Sequence, residues 1–407
     1  MNRIVVTLFS VFLALPGIAG ERESDLRLPI GDPQRSDKQV EVVMDGITDT
    51  STGEIIGPSQ MAKRLSDVGL VFVGETHTNL DYHNAQLKVI QELYKAGRDV
   101  MIGLEMFPYT QQASLDKWTQ GGFTEAEFIE EAGWYTYWSY NWEYYREIFL
   151  YARENNIPMY GVNTPREVVK AVRKKGFKDL SDEEAAHIPN EVLPVTDEQR
   201  RMYKSFFDPA DTLHMSDAQM EGMLRAQSTW DATMGWNSLQ SLKKHGGEDA
   251  IMVVLIGSGH VTYGLGSERQ TAPYYSGRIA SIIPVQIDPR TPPEERRVQA
   301  SYANYIWGLP QAREEVYPSL GVSLMGALGD QPTKVIQVSR GSVADRAGIQ
   351  VGDVLLELNG KKIGDSVALR SHVATWRWGD MAQARIERDG VPRKLIVPVR
   401  RARGGSS

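Results

Sequence analysis

Two histidines in this chain follow apolar runs that have the composition of buried β-strands. The run 70–73 leads into a Gly-x-x-His segment that ends at His77, and the run 253–256 leads into a second one that ends at His260. Glycine lets the backbone turn sharply after a strand, and the carboxyl ends of parallel strands line the ligand crevice of an open α/β sheet. We therefore expect both histidines to lie over one edge of a sheet. The alternative is that each of them caps a helix or pairs with a loop carbonyl.

Carboxylates accompany both histidines at the same predicted edge. Glu75 precedes His77 by two residues, and Glu105 follows a third apolar run. A histidine oriented by a carboxylate can act as a general base, whereas two histidines and a carboxylate can bind a divalent metal and leave a position open for water. The residues therefore predict either an acid–base site or a divalent metal site made of Glu75, His77, Glu105 and His260.

Two further residues are candidates for the same site. His83 lies six residues after His77, and Arg166 follows a fourth apolar run, 158–162. We expect both to contribute to ligand or cofactor binding, with His83 behind His77; its alternative is a surface position early in a helix.

Buried strands that alternate with helical stretches would position these side chains. The strand-like runs are continuous in apolar residues, which is typical of strands covered on both faces; they are 70–73, 100–104, 158–162, 251–256 and 282–287. Helical periodicity lies between them, as at 84–96 and 142–155. This alternation predicts an α/β fold with a largely parallel sheet covered by helices. The polar, helical stretch 168–226 is interpreted as a cap.

Length and composition limit the class of protein. A chain of 407 residues is long enough for two domains, and we expect an α/β domain at 40–308 and a second domain at 318–400. A net charge of −7, spread along the chain, gives no reason to expect nucleic acid as a partner. No stretch predicts a stable membrane span.

The first twenty residues have the pattern of a secretory signal peptide. A weakly basic start precedes the apolar run 4–15, and Pro16 and the small residues after it suit a cleavage site. The chain contains no cysteine, which excludes disulfides, thiolate metal sites and lipid attachment through cysteine. We therefore expect a periplasmic or secreted protein.

The same segments resemble, in order, motifs of the ChaN family, which lies within the Tiki superfamily together with erythromycin-esterase-like proteins. The segments that match are 73–77, 81–86, 103–107, 161–166, 226–234 and 257–260. The resemblance implies haem binding linked to iron uptake, with a tyrosine as iron ligand. The superfamily also implies a rival, a hydrolase that uses Glu75, His77, Glu105 and His260.

An aromatic cluster is the candidate porphyrin surface. Tyrosine is an acceptable axial ligand to ferric haem, and Tyr135, Tyr137 and Tyr140 lie among three tryptophans between 134 and 142. The alternative is that these aromatic residues form the core of a helical layer. On the probable helix that follows, Gln227 and Asp231 are four residues apart and share one face.

Residues 318–400 resemble a PDZ domain of the type associated with bacterial proteases. The segment 342–361 carries the resemblance, with a helix that ends at Gly348 and an Asn-Gly hairpin at 359–360. The resemblance implies a loop that binds a peptide carboxylate, next to a strand edge that pairs with the peptide. The candidate peptide-binding residues are Leu320, Gly321, Val322 and Ser323 in the loop and Leu369, His372 and Val373 on the facing helix.

These observations favour an exported protein that binds haem or a related iron cofactor and carries a peptide-binding module. A hydrolase, metal-dependent or not, is the second hypothesis. A periplasmic scaffold without catalysis is the third.

Overall fold

The computed structural model describes residues 25–206, 216–312, 315–325 and 333–401. The predicted signal peptide, 1–20, lies outside the described residues. The chain divides into two compact units, one over Glu21–Arg313 and one that includes Glu314–Ser407.

The first unit is built on an eight-stranded sheet. Its strands, in spatial order, are β3 (Ile55–Ile56), β2 (Ile47–Asp49), β10 (Tyr305–Pro310), β8 (Arg278–Ile287), β4 (Val68–Glu75), β7 (Ala250–Gly257), β5 (Asp99–Pro108) and β6 (Met159–Asn163). The six strands from β10 to β6 are parallel, and β2 and β3 form an antiparallel hairpin at one edge. The prediction of a largely parallel sheet is confirmed.

Burial on both faces explains why the parallel strands are continuous apolar runs. Every residue of β7 is buried, and so is every residue of β5 except the first. A strand in such a position has no solvent face, so the alternation seen in half-buried strands is absent. A separate two-stranded sheet pairs β1 (Gln39–Glu41) with β9 (Arg297–Gln299).

Helices cover both faces of the large sheet. They are α1 (Pro58–Arg64), α2 (Leu80–Lys95), α3 (Gln112–Thr119), α4 (Glu125–Glu131), α5 (Trp134–Tyr137), α6 (Arg146–Glu154), α7 (Arg166–Lys175), α8 (Asp182–Ala185), α9 (Asp197–Phe206), α10 (Asp217–His245) and α11 (Ser267–Thr271). Asn79 caps α2, and a reciprocal pair of hydrogen bonds between Ser216 and Gln219 caps α10. Such caps satisfy backbone N–H groups that have no partner inside the helix.

The aromatic cluster near the middle of the chain forms a core between α3 and α6. Trp118, Trp134, Phe128 and Phe149 are fully buried, and the rings of Trp118 and Trp134 each stand edge to face with that of Phe149. Ring pairs of this kind add packing energy beyond the area they bury. Most of the aromatic patch therefore serves the helical layer.

The second unit is an antiparallel sheet with two short helices. Its strands follow the order β11 (Val322–Met325), β12 (Lys334–Val338), β13 (Val354–Leu358), β15 (Met381–Arg388) and β16 (Val391–Pro398), and β14 (Lys361–Lys362) pairs with β13. The helices are α12 (Val343–Arg346) and α13 (Ser366–Val373). Asn359 and Gly360 both have positive φ, as the predicted two-residue hairpin requires.

Within the described residues, no helix has both the length and the apolar character needed to cross a membrane.

Candidate functional site

Three adjacent strands end at the site and deliver its acidic and basic side chains. Glu75 is the last residue of β4, and it pairs in register with Gly257 at the end of β7. β5, on the other side of β7, contributes Glu105. The turn after β7 carries His260, and the turn after β4 carries His77. The sheet topology therefore brings together residues that lie up to 185 positions apart.

Glu75 is the buried partner of His77. Its Oε1 atom binds Nδ1 of His77 in a very short contact and also accepts a hydrogen bond from the hydroxyl of Tyr145 at 3.2 Å. The other oxygen, Oε2, is buried without a hydrogen-bond partner, and the nearest basic group is Nε2 of His83 at 3.8 Å. The carboxylate thus orients the ring of His77 and retains one unused acceptor.

The ring of His77 is the most accessible of the four groups. Its side chain is 23% exposed, whereas that of Glu75 is 1% exposed. Trp138 stands edge-on to the ring at 4.8 Å between centroids, and Tyr140 lies at 4.5 Å. A Cβ atom at Gly257 would come within 3.1 Å of the ring, so glycine there leaves the space that the histidine occupies.

Glu105 binds both the end of β7 and His260. Its Oε2 atom accepts a hydrogen bond from the backbone N–H of Gly257 at 2.6 Å, and its Oε1 lies 3.4 Å from Nε2 of His260. Asn163 donates its side-chain amide to the backbone carbonyl of Glu105 at 2.9 Å. These contacts hold the carboxylate between His260 and the end of β7.

His260 is held on its other side by the long helix α10. Its Nδ1 atom lies 2.6 Å from Oδ1 of Asp231, which is completely buried. The amide of Gln227, one turn earlier on α10, lies 2.7 Å from the same nitrogen. The ring is therefore fixed at both nitrogens, by Asp231 on one side and Glu105 on the other.

The electrostatics of this group favour a charged His260. Burial alone disfavours the imidazolium, but the charge of Glu105 and the hydrogen bond to Asp231 outweigh it and raise the pKa of His260 to about 10. Burial would raise the pKa of Glu105, yet the neighbouring His260 and His77 hold it below its usual value. Burial raises the pKa of Asp231. Because Glu105 gives the ring a second negative neighbour, the proton shared by His260 and Asp231 belongs to the histidine.

The pKa values of the other two histidines shift in opposite directions. Burial opposes protonation of His77, but the charge and hydrogen bond of Glu75 raise its pKa. Burial dominates at His83 and lowers its pKa, although Glu75 acts in the opposite direction. His83 is 2% exposed, and its Nδ1 pairs with Gln86 at 3.2 Å. It is therefore a buried residue next to Glu75, and its predicted alternative as a surface residue is wrong.

The histidine and carboxylate side chains of the site determine which metal or cofactor it could bind. No three His, Asp or Glu side chains are arranged to hold a metal ion, as far as the described residues go. Nδ1 of His77 and both nitrogens of His260 face carboxylates. Nε2 of His77, beside the rings of Trp138 and Tyr140, could serve as a ligand to the iron of a porphyrin.

Not all predicted binding residues reach the site. Tyr135 is 7% exposed in the helical layer, where its hydroxyl accepts a hydrogen bond from the backbone of Trp142 at 3.4 Å. The hydroxyl of Tyr137 accepts from Gln111 at 2.8 Å, and Arg166 donates to the backbone carbonyl of Tyr137 at 2.5 Å. Of the three tyrosines, Tyr140 is the one in ring contact with His77.

Sequence analysis missed the role of Asp231 and the participation of Tyr145 and Tyr203. Asp231 shares a helix face with Gln227, and that spacing was the available signal. The hydroxyl of Tyr203 donates to Oδ2 of Asp231 at 3.4 Å. Nothing local in the sequence indicates either tyrosine, because Tyr145, just before α6, and Tyr203, on α9, are both distant in the chain from the residues they contact.

The predicted peptide-binding residues lie in the second unit around its edge strand. Gly321 has φ +77°, and a Cβ there would lie 2.3 Å from Cβ of Ser342, so the loop 320–323 depends on glycine. Leu320, Leu369 and Val373 are 3%, 7% and 9% exposed and belong to the core of this unit. The two ring nitrogens of His372 are buried without hydrogen-bond partners. The prediction that Leu369 and Val373 face a peptide therefore competes with their place in the core.

Comparison with known proteins supports two assignments. Residues 61–270, just over half of the chain, match the family described as haem-binding uptake, Tiki superfamily, ChaN. Residues 318–399 match the PDZ domain family. A probable periplasmic serine endoprotease, DegP-like, from Ectopseudomonas mendocina is 43% identical over 65 residues, which is 16% of this chain and 14% of that protein. The chain thus covers only a small part of that relative.

Several solved structures resemble parts of this chain. ChaN of Campylobacter jejuni, in a structure with cofacially bound haem, is 15% identical with a TM-score of 0.47, over 64% of this chain and 95% of that one. An erythromycin esterase in its open conformation is 11% identical with a TM-score of 0.40, over 68% and 98%. The HtrA-type protease AlgW is 26% identical with a TM-score of 0.20, over 21% and 29%. Because the family match spans more than half of its residues, this chain belongs to the ChaN haem-binding uptake family of the Tiki superfamily, and it carries a PDZ domain after that region.

Proposed function

We propose that this chain is an exported protein whose first domain holds an iron porphyrin at His77 and whose PDZ domain binds protein C-termini. The observation that carries the haem proposal is the hydrogen bonding and exposure of the His77 ring. Nδ1 is bound to the buried Glu75, while Nε2 has no hydrogen bond to any described residue and the side chain is 23% exposed. Histidines that ligate metals usually donate their other ring N–H to such a carboxylate.

The surroundings of His77 support the same ligand. Trp138 and Tyr140 flank the ring and offer aromatic surface to a porphyrin. Tyr140 is also the second candidate for the iron ligand, since the family resemblance implies a phenolate. When bound, haem would supply iron as cargo or as a redox centre, and the chain would supply His77 as the iron ligand and the carboxylate of Glu75 that orients it.

Titration of haem into the purified full-length chain, followed at the Soret band, tests this proposal. We expect saturable binding that His77→Ala abolishes and that Glu75→Gln weakens by about 10–100-fold, the usual cost of losing a group that orients a metal ligand. His187→Gln is the matched control, because His187 pairs with Tyr109 outside the site. Unchanged haem affinity in both His77→Ala and Tyr140→Phe would refute the proposed ligand site.

Hydrolysis is the second candidate, and the arrangement around Glu105 favours it. A charged His260 between Glu105 and Asp231 could stabilise a developing negative charge, while His77, oriented by Glu75, could serve as the general base. Initial rates on a panel of small esters, lactones and amides test this candidate. We expect His77→Gln to remove turnover without changing the fold. A rate equal to that of the unmodified chain would exclude catalysis by this dyad.

The PDZ proposal is supported by the edge position of β11, whose one partner strand within the described residues is β12. An extended peptide can add to such an edge while the preceding loop receives its carboxylate. Binding of C-terminal peptides with free and amidated ends tests this directly. We expect amidation to weaken binding at least about tenfold, since it removes the charge that the loop amides would receive. Equal affinity for both ends would favour a scaffold with a silent groove.

Export is proposed from the pattern of residues 1–20. Fractionation of cells that express the full chain, with N-terminal sequencing of the mature protein, tests it. We expect extracytoplasmic protein that begins close to residue 21, and uncleaved protein in the cytoplasm would contradict the proposal.

A further inference from the structure

The long helix α10 and the cap helix α9 meet behind His260 in a chain of buried polar groups. Asp231 is 0% exposed and bonds to Nδ1 of His260 through Oδ1 at 2.6 Å. Tyr203, which is 4% exposed, donates to Oδ2 of the same carboxylate at 3.4 Å. Burying an ionised carboxylate in this way is costly unless both oxygens are satisfied, so the arrangement calls for a purpose beyond helix packing.

We infer that Asp231 is the positioning residue of His260 and that Tyr203 holds Asp231 in place. Asp231 keeps a proton on Nδ1, which leaves Nε2 directed at Glu105 and toward the site. A histidine has two ring nitrogens, and the group bound at one fixes the direction in which the other points. The inference rests on the proposed function in one respect: it takes His260 to be part of the functional site of the first domain.

Backbone packing around Gly266 holds the turn that carries His260 in one position. A Cβ atom at Gly266 would lie 2.1 Å from the carbonyl oxygen of His260 and 3.2 Å from Oδ2 of Asp231. The turn that carries His260 therefore packs directly against the segment that leads into α11, with no space for a side chain. Gln227, one turn before Asp231 on α10, also packs against this nitrogen, with its amide 2.7 Å from Nδ1 of His260.

Charged groups from the strand ends and from α11 surround His260, Asp231 and Tyr203. Glu105 and His77 face His260 from the strand ends. Arg269 on α11 acts electrostatically on both Asp231 and Tyr203, and its own hydrogen bonds go to Gln199 at 2.9 Å and to a backbone carbonyl. Since Asp231 bonds directly to Nδ1 of His260, a change at Asp231 should be seen at His260.

Proton and ¹⁵N NMR of the full-length chain, labelled at histidine, tests the inference without any bound ligand. A short N–H···O⁻ bond predicts a downfield Nδ1 proton for His260, assigned by its loss in His260→Gln. In Asp231→Asn, which keeps the shape of the side chain, we expect that resonance to disappear and the pKa of His260 to fall by about 1–3 units, as expected when an adjacent opposite charge is removed.

Tyr203→Phe provides the second variant. In this variant we expect the Nδ1 proton of His260 to exchange with water about tenfold faster, which corresponds to the loss of one hydrogen bond. Ser238→Ala is the matched control: Ser238 is fully buried on the same helix but bonds only to the carbonyl of Met234 at 2.7 Å. An unchanged His260 resonance and pKa in Asp231→Asn would overturn the inference.

If Asp231→Asn does not fold, unchanged exchange in Tyr203→Phe overturns the inference instead. The haem and hydrolysis assays report on the proposed function and not on this one. If the chain binds no haem and turns over no substrate, the proposed function is refuted. If the downfield proton is nevertheless lost in Asp231→Asn, the role of Asp231 in positioning His260 is supported.

Discussion

Gly266 offers the sharpest single test of how tightly the site is built. In Gly266→Ala the new Cβ would stand 2.1 Å from the carbonyl oxygen of His260, whereas Cβ atoms stay at least about 3.0 Å from other heavy atoms. The turn that carries His260 must therefore move by about 0.9 Å. Since the obstacle is backbone and not the end of a flexible side chain, no rotamer change relieves the contact.

The consequence is a loss of stability together with a change at His260. Overpacking of a buried site costs about 1–3 kcal/mol, and we expect the free energy of unfolding in urea to fall by that amount. We also expect the hydrogen bond between His260 and Asp231 to lengthen and the His260 resonances to shift.

Gly247→Ala is the control, because the atom nearest to its added Cβ is 4.0 Å away. Equal stability and equal His260 spectra in the two variants would refute the close packing of Gly266 against the carbonyl oxygen of His260.

Three further outcomes follow from single residues. Trp118→Ala should lower the free energy of unfolding by about 3–5 kcal/mol in urea titration, because it empties a fully buried aromatic position. Asp353→Ala should destabilise the PDZ unit by about 3–5 kcal/mol in hydrogen exchange, since it leaves Arg388, bonded at 2.7 and 2.8 Å, without its buried partner. Burial and the nearby Lys361 lower the pKa of His372, so the unfolded chain takes up a proton more readily. Stability of the PDZ unit should therefore fall as the pH drops below about 6.5, and exchange rates of His372→Leu should lack this dependence; an equal dependence in both would contradict it.

Interactions between sequence neighbours made much of the fold predictable. Five apolar runs indicated buried strands, and all five belong to the parallel part of the sheet. The hairpin at 359–360 was predictable because positive φ at two successive residues strongly favours Asn-Gly. The association of Glu75 with His77 follows from their separation of two residues.

The rest required contacts between distant segments. Sheet order places β7 between β4 and β5, and only that order brings Glu105 against His260, because strands that are adjacent in the sheet are not adjacent in the chain. The sequence could not distinguish Tyr140, beside His77, from Tyr135, buried among the helices, since both belong to one aromatic run. Residue types and local spacing thus determined the strands, the turns and the candidate groups. The pairing of His260 with Asp231 was decided by how α10 packs on the sheet, because the burial of Asp231 comes from neighbours that the local pattern does not contain.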